Sequence, residues 1–188
     1  MADGIRLRPV WGAFLCIALL TGWVPTAHGQ SGDSSSGLSL IQQEPDYLDI
    51  GVGAFNAIAR HPGTGTSPQA QIEYRDGTKV FSYFGPTVGL LANTRGGLYG
   101  FGGLYADIAL DRFRVTPLAA IGGYHRGGGA DLGGIFQFRL SLTGSYQLQN
   151  ESRIGVELGH LSNGGTHSKN PGEQDIMLTY GIPLGRLF

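Results

Sequence analysis

The chain of 188 residues has room for one domain and a short extra segment, and its formal charge of −1 gives no electrostatic basis for binding nucleic acid. Its single cysteine, Cys16, excludes an intramolecular disulfide framework and a cysteine-ligated metal site. Glycine, at 33 residues, stands far above the ordinary ~7% without any G-X-Y period, which excludes collagen; with 10% aromatics it points to close-packed strands and tight turns.

Arg6 and Arg8 precede an apolar run from Val10 to Val24, followed by Pro25 and the small-x-small pattern Ala27-His28-Gly29. The run falls short of the ~20 residues a spanning helix needs. This order predicts a secretory signal peptide over residues 1–29, removed by cleavage. Residues 30–45 are rich in Ser and Gly and read as a flexible lead-in to a domain over 46–188.

Within that domain no apolar stretch reaches transmembrane-helix length; the recurring signal is period-2 alternation. In Phe136 to Leu148 the even positions are Phe136, Phe138, Leu140, Leu142, Gly144, Tyr146 and Leu148, while the odd ones are Gln137, Arg139, Ser141, Thr143, Ser145 and Gln147. Similar runs at 46–57, 69–77, 80–93, 97–110, 112–125, 133–149, 152–162 and 174–188 predict eight strands. An even number allows up-and-down closure with no unpaired edge. Tight turns at 76–78, 111 and 150–151 alternate with longer connections at 58–68, 126–132 and 163–173, the arrangement of an outer-membrane barrel whose first strand starts on the periplasmic side.

A soluble ligand-binding barrel and a membrane barrel make opposite demands on the two strand faces. Here the minority faces carry Asp49, Glu73, Arg75, Asp107, Arg139 and Glu157 among many glycines. Charges of both signs pair readily inside a narrow lumen, whereas the outside of a soluble protein would carry more charge and less glycine. Tyr180, Ile182, Leu184 and the terminal Phe188 share one face, like the assembly signal of bacterial outer-membrane proteins. The expected fold is an all-β, eight-stranded antiparallel transmembrane β-barrel of the bacterial outer membrane. Side chains fill so narrow a lumen, so function belongs on the loops or the outer wall.

The chemistry-bearing segment is Gly159-His160-Leu161-Ser162-Asn163-Gly164-Gly165, followed by Asn170-Pro171-Gly172-Glu173. His160 and Ser162, two apart on a strand, emerge on one face, where a neutral imidazole can take the hydroxyl proton during attack on a carbonyl. A carboxylate on the other ring nitrogen would fix the tautomer; Glu173, across the connecting loop, is the candidate. Asn163, Gly164-Gly165 and Asn170 are candidate oxyanion donors. Parity places Ile154, Val156, Leu158, His160 and Ser162 on the lipid side, near the rim. Polar groups there suit a substrate that arrives sideways through the outer leaflet, whose lipid is lipopolysaccharide. A metal site using His160, His167 and Glu173 is the alternative reading of the same side chains. No G-x-S-x-G elbow is present to support a soluble α/β-hydrolase.

His160-Leu161-Ser162-Asn163 with Gly165 and the Asn170-Pro171-Gly172-Glu173 run resembles the motif of PagL-type lipid A 3-O-deacylases. The resemblance implies an eight-stranded outer-membrane barrel that removes the 3-position acyl chain of lipid A with a Ser/His/Glu triad and no cofactor. It makes His160 the base, Ser162 the nucleophile and Glu173 the orienting acid, with Gly165 and Asn170 as oxyanion donors. One departure stands out: the family's acid falls one residue later, where this chain has Gln174. Glu173 is the adjacent carboxylate and Asp175 the fallback. The partners implied are lipopolysaccharide and the outer membrane, with no nucleic acid; the sequence leaves open whether a homodimer forms. The competing function is a non-enzymatic barrel acting in adhesion or envelope integrity, and a weaker third is a soluble lipid-binding barrel.

Overall fold

The period-2 runs become hydrogen-bonded strands in the computed structural model, which describes residues 37–58 and 65–186. In chain order these are β1 (Ser39–Leu40), β2 (Tyr47–Phe55), β3 (Ser67–Arg75), β4 (Gly85–Asn93), β5 (Leu98–Tyr105), β6 (Ile108–Leu110), β7 (Phe113–His125), β8 (Phe136–Gln147), β9 (Arg153–Ser162) and β10 (Glu173–Pro183). Every pairing is antiparallel. β5 and β6 both pair with β7 as two halves of one strand position; otherwise sequential neighbours pair from β2 round to β10, and β10 pairs back onto β2, so the sheet closes as an eight-stranded barrel. The expected signal peptide over 1–29 and the terminal Phe188 lie outside the described residues.

Two of the expected strands are altered for identifiable reasons. The run 97–110 is interrupted at Ala106-Asp107, although the register continues from Tyr105↔Leu118 to Ile108↔Val115. Opposite Ala106 stands Pro117, which has no N–H to give the ladder; its carbonyl still accepts from the Ala106 N–H at 3.1 Å. The run 80–93 begins only at Gly85, because residues 80–84 fold into a tight reversal. Val80 and Phe84 bond each other, and Phe81 and Ser82 take positive φ.

The two faces segregate as a lipid-exposed barrel requires. Ile50, Val52, Ile72, Val88, Leu140, Val156 and Leu178 are exposed on the outer wall, while Asp49, Glu73, Arg75, Asp107, Arg139 and Glu157 are buried in the lumen. Around them pack Phe55, Leu91, Tyr99, Phe101, Tyr105, Tyr124 and Met177, so the lumen is filled rather than open. The buried charges are paired. Arg139 bonds Asp175 and Glu157, each at 2.7 Å, and Arg75 bonds Glu73 at 2.8 Å and lies 3.3 Å from Asp49. Burying such charges is tolerable only with this degree of compensation.

Residues 37–45, read from the sequence as part of a flexible lead-in, are tied to the barrel. β1 pairs with β6, Gln43 bridges Thr78, and the Ile41 N–H donates to the Asp107 carbonyl at 3.0 Å. Glu44 enters the lumen at this end and pairs with Lys79 at 2.6 Å and with Arg153. Arg153 in turn lies over the Tyr47 ring, 4.1 Å from its centre. A Ser/Gly-rich composition gave no sign that one carboxylate would anchor the segment. The opposite end of the barrel carries the connections 94–97, 126–135 and 163–172.

Candidate functional site

β9 alternates Ile154, Val156, Leu158, His160 and Ser162 outward with Gly155, Glu157, Gly159 and Leu161 inward. His160 and Ser162 therefore share the outer wall at the end carrying the long connections, as their spacing predicted. Neighbouring strands fix what stands beside them. On β8, Leu140 is opposite His160 and Phe138 is opposite Ser162. Phe138 meets Phe136 edge to face at 5.1 Å, and Leu158, Ile176 and Leu178 continue the apolar wall toward mid-barrel. Two polar catalytic-type side chains thus cap an oily surface.

β10 carries the residues that stand across from His160, and neither of its carboxylates faces the imidazole. Glu173 is opposite Leu161 in the ladder and, like Leu161, points into the lumen. There its Oε1 accepts the Asn56 backbone N–H at 2.7 Å. Asp175 is opposite Gly159 and is equally internal, bound to Arg139. Neither carboxylate is brought to the imidazole, because both have the wrong strand parity. Gln174 lies opposite His160 on the outer face, and its side-chain amide stands 3.2 Å from His160 Nδ1. The alternative metal set fails for the same reason: His160 and Glu173 lie on opposite faces. Among the described residues no cluster of three His, Cys, Asp or Glu suited to a metal is present.

The connection 163–172 is held by Asn163, which is fully buried. Its Nδ2 donates to the carbonyls of Leu132 at 2.9 Å and Lys169 at 2.6 Å, and its Oδ1 accepts the Gly165 N–H at 2.9 Å. Its own N–H donates to Asn170 Oδ1 at 3.0 Å. Asn163 thus ties the connection together, both of its side-chain N–H groups given to carbonyls, and the Gly165 N–H is bonded to its Oδ1. Of the expected donors, Asn170 Nδ2 and the Gly164 N–H are without a partner among the described hydrogen bonds. Gly172, at φ +69°, lies against the imidazole: a Cβ there would come within 2.9 Å of His160 Cε1. Gly159 is equally constrained, since a Cβ would meet Asp175 Oδ1 at 2.3 Å and Arg139 Nη2 at 2.7 Å. Sequence reasoning met Gln174 only as a departure from the family's acid and passed over Gly172. The parity of β10, whose Ile176, Leu178 and Tyr180 face outward, contained the signal for Gln174.

Residues 62–183 match the family model described as lipid A 3-O-deacylase (PagL). No curated protein matches the chain. Among solved structures, the chain is similar to the outer-membrane enzyme PagL, at 19% identity and a TM-score of 0.54, over 73% of this chain and 99% of that one. Two further similar structures are a de novo designed transmembrane β-barrel (12% identity, TM-score 0.47, covering 75% of this chain and 99% of that one) and the Yersinia pestis outer-membrane protein Ail in a phospholipid bilayer nanodisc (9%, 0.44, 74% and 100%).

Proposed function

The chain belongs to the PagL family of lipid A 3-O-deacylases, esterases of the outer membrane, and from that premise we propose that Ser162 is its nucleophile and His160 its base. The observation that carries the assignment is the shared outward parity of these two side chains above an apolar wall. A lipid A acyl chain lies along Phe138, Leu140, Leu158 and Ile176 while its ester linkage reaches the rim. The substrate then arrives from the membrane itself, without passing through the filled lumen.

Ser162 Oγ attacks the ester carbonyl at the 3-position and passes its proton to His160 Nε2. The tetrahedral oxyanion is met by the Asn170 amide, in a setting where a fixed dipole is worth more than in water. Collapse breaks the C–O bond, and the imidazolium returns the proton to the departing sugar hydroxyl. Water, deprotonated by the same imidazole, then releases the fatty acid and restores Ser162.

Mass spectrometry of lipid A from cells producing the protein tests this. Wild type should remove one 3-hydroxyacyl chain, and Ser162→Ala and His160→Asn should leave lipid A intact while the heat-modifiable barrel band persists. Continued acyl release by folded Ser162→Ala would overturn the assignment.

A further inference from the structure

We propose that Gln174 is the residue that positions His160, so that the site works with a neutral amide where a carboxylate would ordinarily stand. The inference rests on the Ser162/His160 reading above and extends it to the third member. The register places Gln174 directly across from His160, and the amide lies 3.2 Å from Nδ1. A hydrogen bond from Nδ1–H to this partner leaves Nε2 unprotonated and able to accept the hydroxyl proton. Only the Gln174 carbonyl oxygen can accept that proton; the amide NH₂ would force the opposite tautomer. Nε2 of Gln174 is the atom at Nδ1, and Oε1 is buried without a hydrogen-bond donor. A half-turn of the amide exchanges the two atoms and gives Oε1 the Nδ1–H that base catalysis requires.

What surrounds the ring strengthens the assignment. On the outer face His160 meets Leu140 from β8, and Gln174 and Gly172 from the β10 side. Leu158 and Ser162 are its same-face neighbours on β9. The charged groups nearest in register, Glu173, Asp175, Glu157 and Arg139, are buried on the lumen side of the same sheet and are paired there or bonded to backbone. The imidazolium formed during turnover therefore has an amide dipole beside it and, among the described strand neighbours of His160, no outward carboxylate. A neutral partner fixes the tautomer and orientation but stabilises the cation less than a charged one.

The test is steady-state kinetics of the full-length protein, folded in detergent with a 3-hydroxyacyl ester substrate, for wild type, Gln174→Ala and Gln174→Glu. Gln174→Ala should lower kcat about tenfold with KM nearly unchanged, as expected for losing one neutral hydrogen bond that acts in the transition state. Gln174→Glu should restore or exceed wild-type kcat, and should move the acidic limb of the pH profile upward by about one unit, because an adjacent carboxylate favours the protonated ring. A side chain at 174 out of contact with the ring would leave that limb where it is, and the loss of kcat in Gln174→Ala separates positioning from mere proximity. Wild-type kcat in Gln174→Ala, or an unmoved limb in Gln174→Glu, would overturn the proposal. Should Gln174→Ala not fold, the isosteric Gln174→Glu still decides it. Ser162→Ala, run in parallel, reports separately on the underlying reading.

Discussion

Replacing Arg139 with Met tests whether the buried charge network holds the wall that presents the site. Arg139 is fully buried, and it donates to Asp175 Oδ2 and Glu157 Oε1 at 2.7 Å each. The two carboxylates are not equally dependent on it. Glu157 keeps the Thr143 hydroxyl at 3.0 Å and Arg75 at 3.9 Å, whereas Arg139 is the one cation paired with Asp175 among the described residues. Met fills much of the volume, so the loss is the stranded Asp175 charge, at about 3–5 kcal/mol for breaking a buried pair from one side. Adding Asp175→Asn removes that charge and should recover more than half of the loss. Urea unfolding in micelles is followed by far-UV circular dichroism and heat-modifiable mobility. An Arg139→Met barrel within about 1 kcal/mol of wild type would refute the reasoning, as would an Asp175→Asn double variant with no recovery.

Glu173→Gln separates the two candidates for the third catalytic position. Because Glu173 faces the lumen and accepts the Asn56 N–H at 2.7 Å, the variant should release acyl chain within about twofold of the wild-type rate, where loss of a true triad acid costs on the order of 10⁴. Gly172→Ala should instead reduce turnover about tenfold or more in a barrel that still folds. The added methyl would lie 2.9 Å from His160 Cε1, and the φ of +69° adds strain of about 1–2 kcal/mol, read by the same urea titration.

Most of the barrel was legible because its determinant is local. Period 2 is forced by strand geometry, and the choice between membrane and soluble barrel follows from which face carries Glu73, Arg139 and Glu157. What escaped was set by partners distant in sequence. Glu44 anchors residues 37–45 through Arg153 and Lys79, and no local pattern announces an ion pair across 109 positions. The break at Ala106 comes from a proline on the neighbouring strand, and Asn163 is consumed by the carbonyls of Leu132 and Lys169.

The residue facing His160 is a different case, because strand parity is local and a triad pattern overrides it. Glu173 and Asp175 are carboxylates and Gln174 is not, so a triad pattern draws attention to the residues on either side of the one that faces the imidazole. Yet Ile176, Leu178 and Tyr180 share Gln174's parity, and a one-residue step on a strand moves a side chain through the wall of the barrel. No loop adjustment brings Glu173 outward once it is paired with Leu161, because its backbone is already committed to the ladder. On a closed barrel, the side a residue faces outranks what it could do there. The consequence for this chain is an imidazole faced by Gln174, so that under the proposed mechanism the pH profile of turnover should change when that amide becomes a carboxylate.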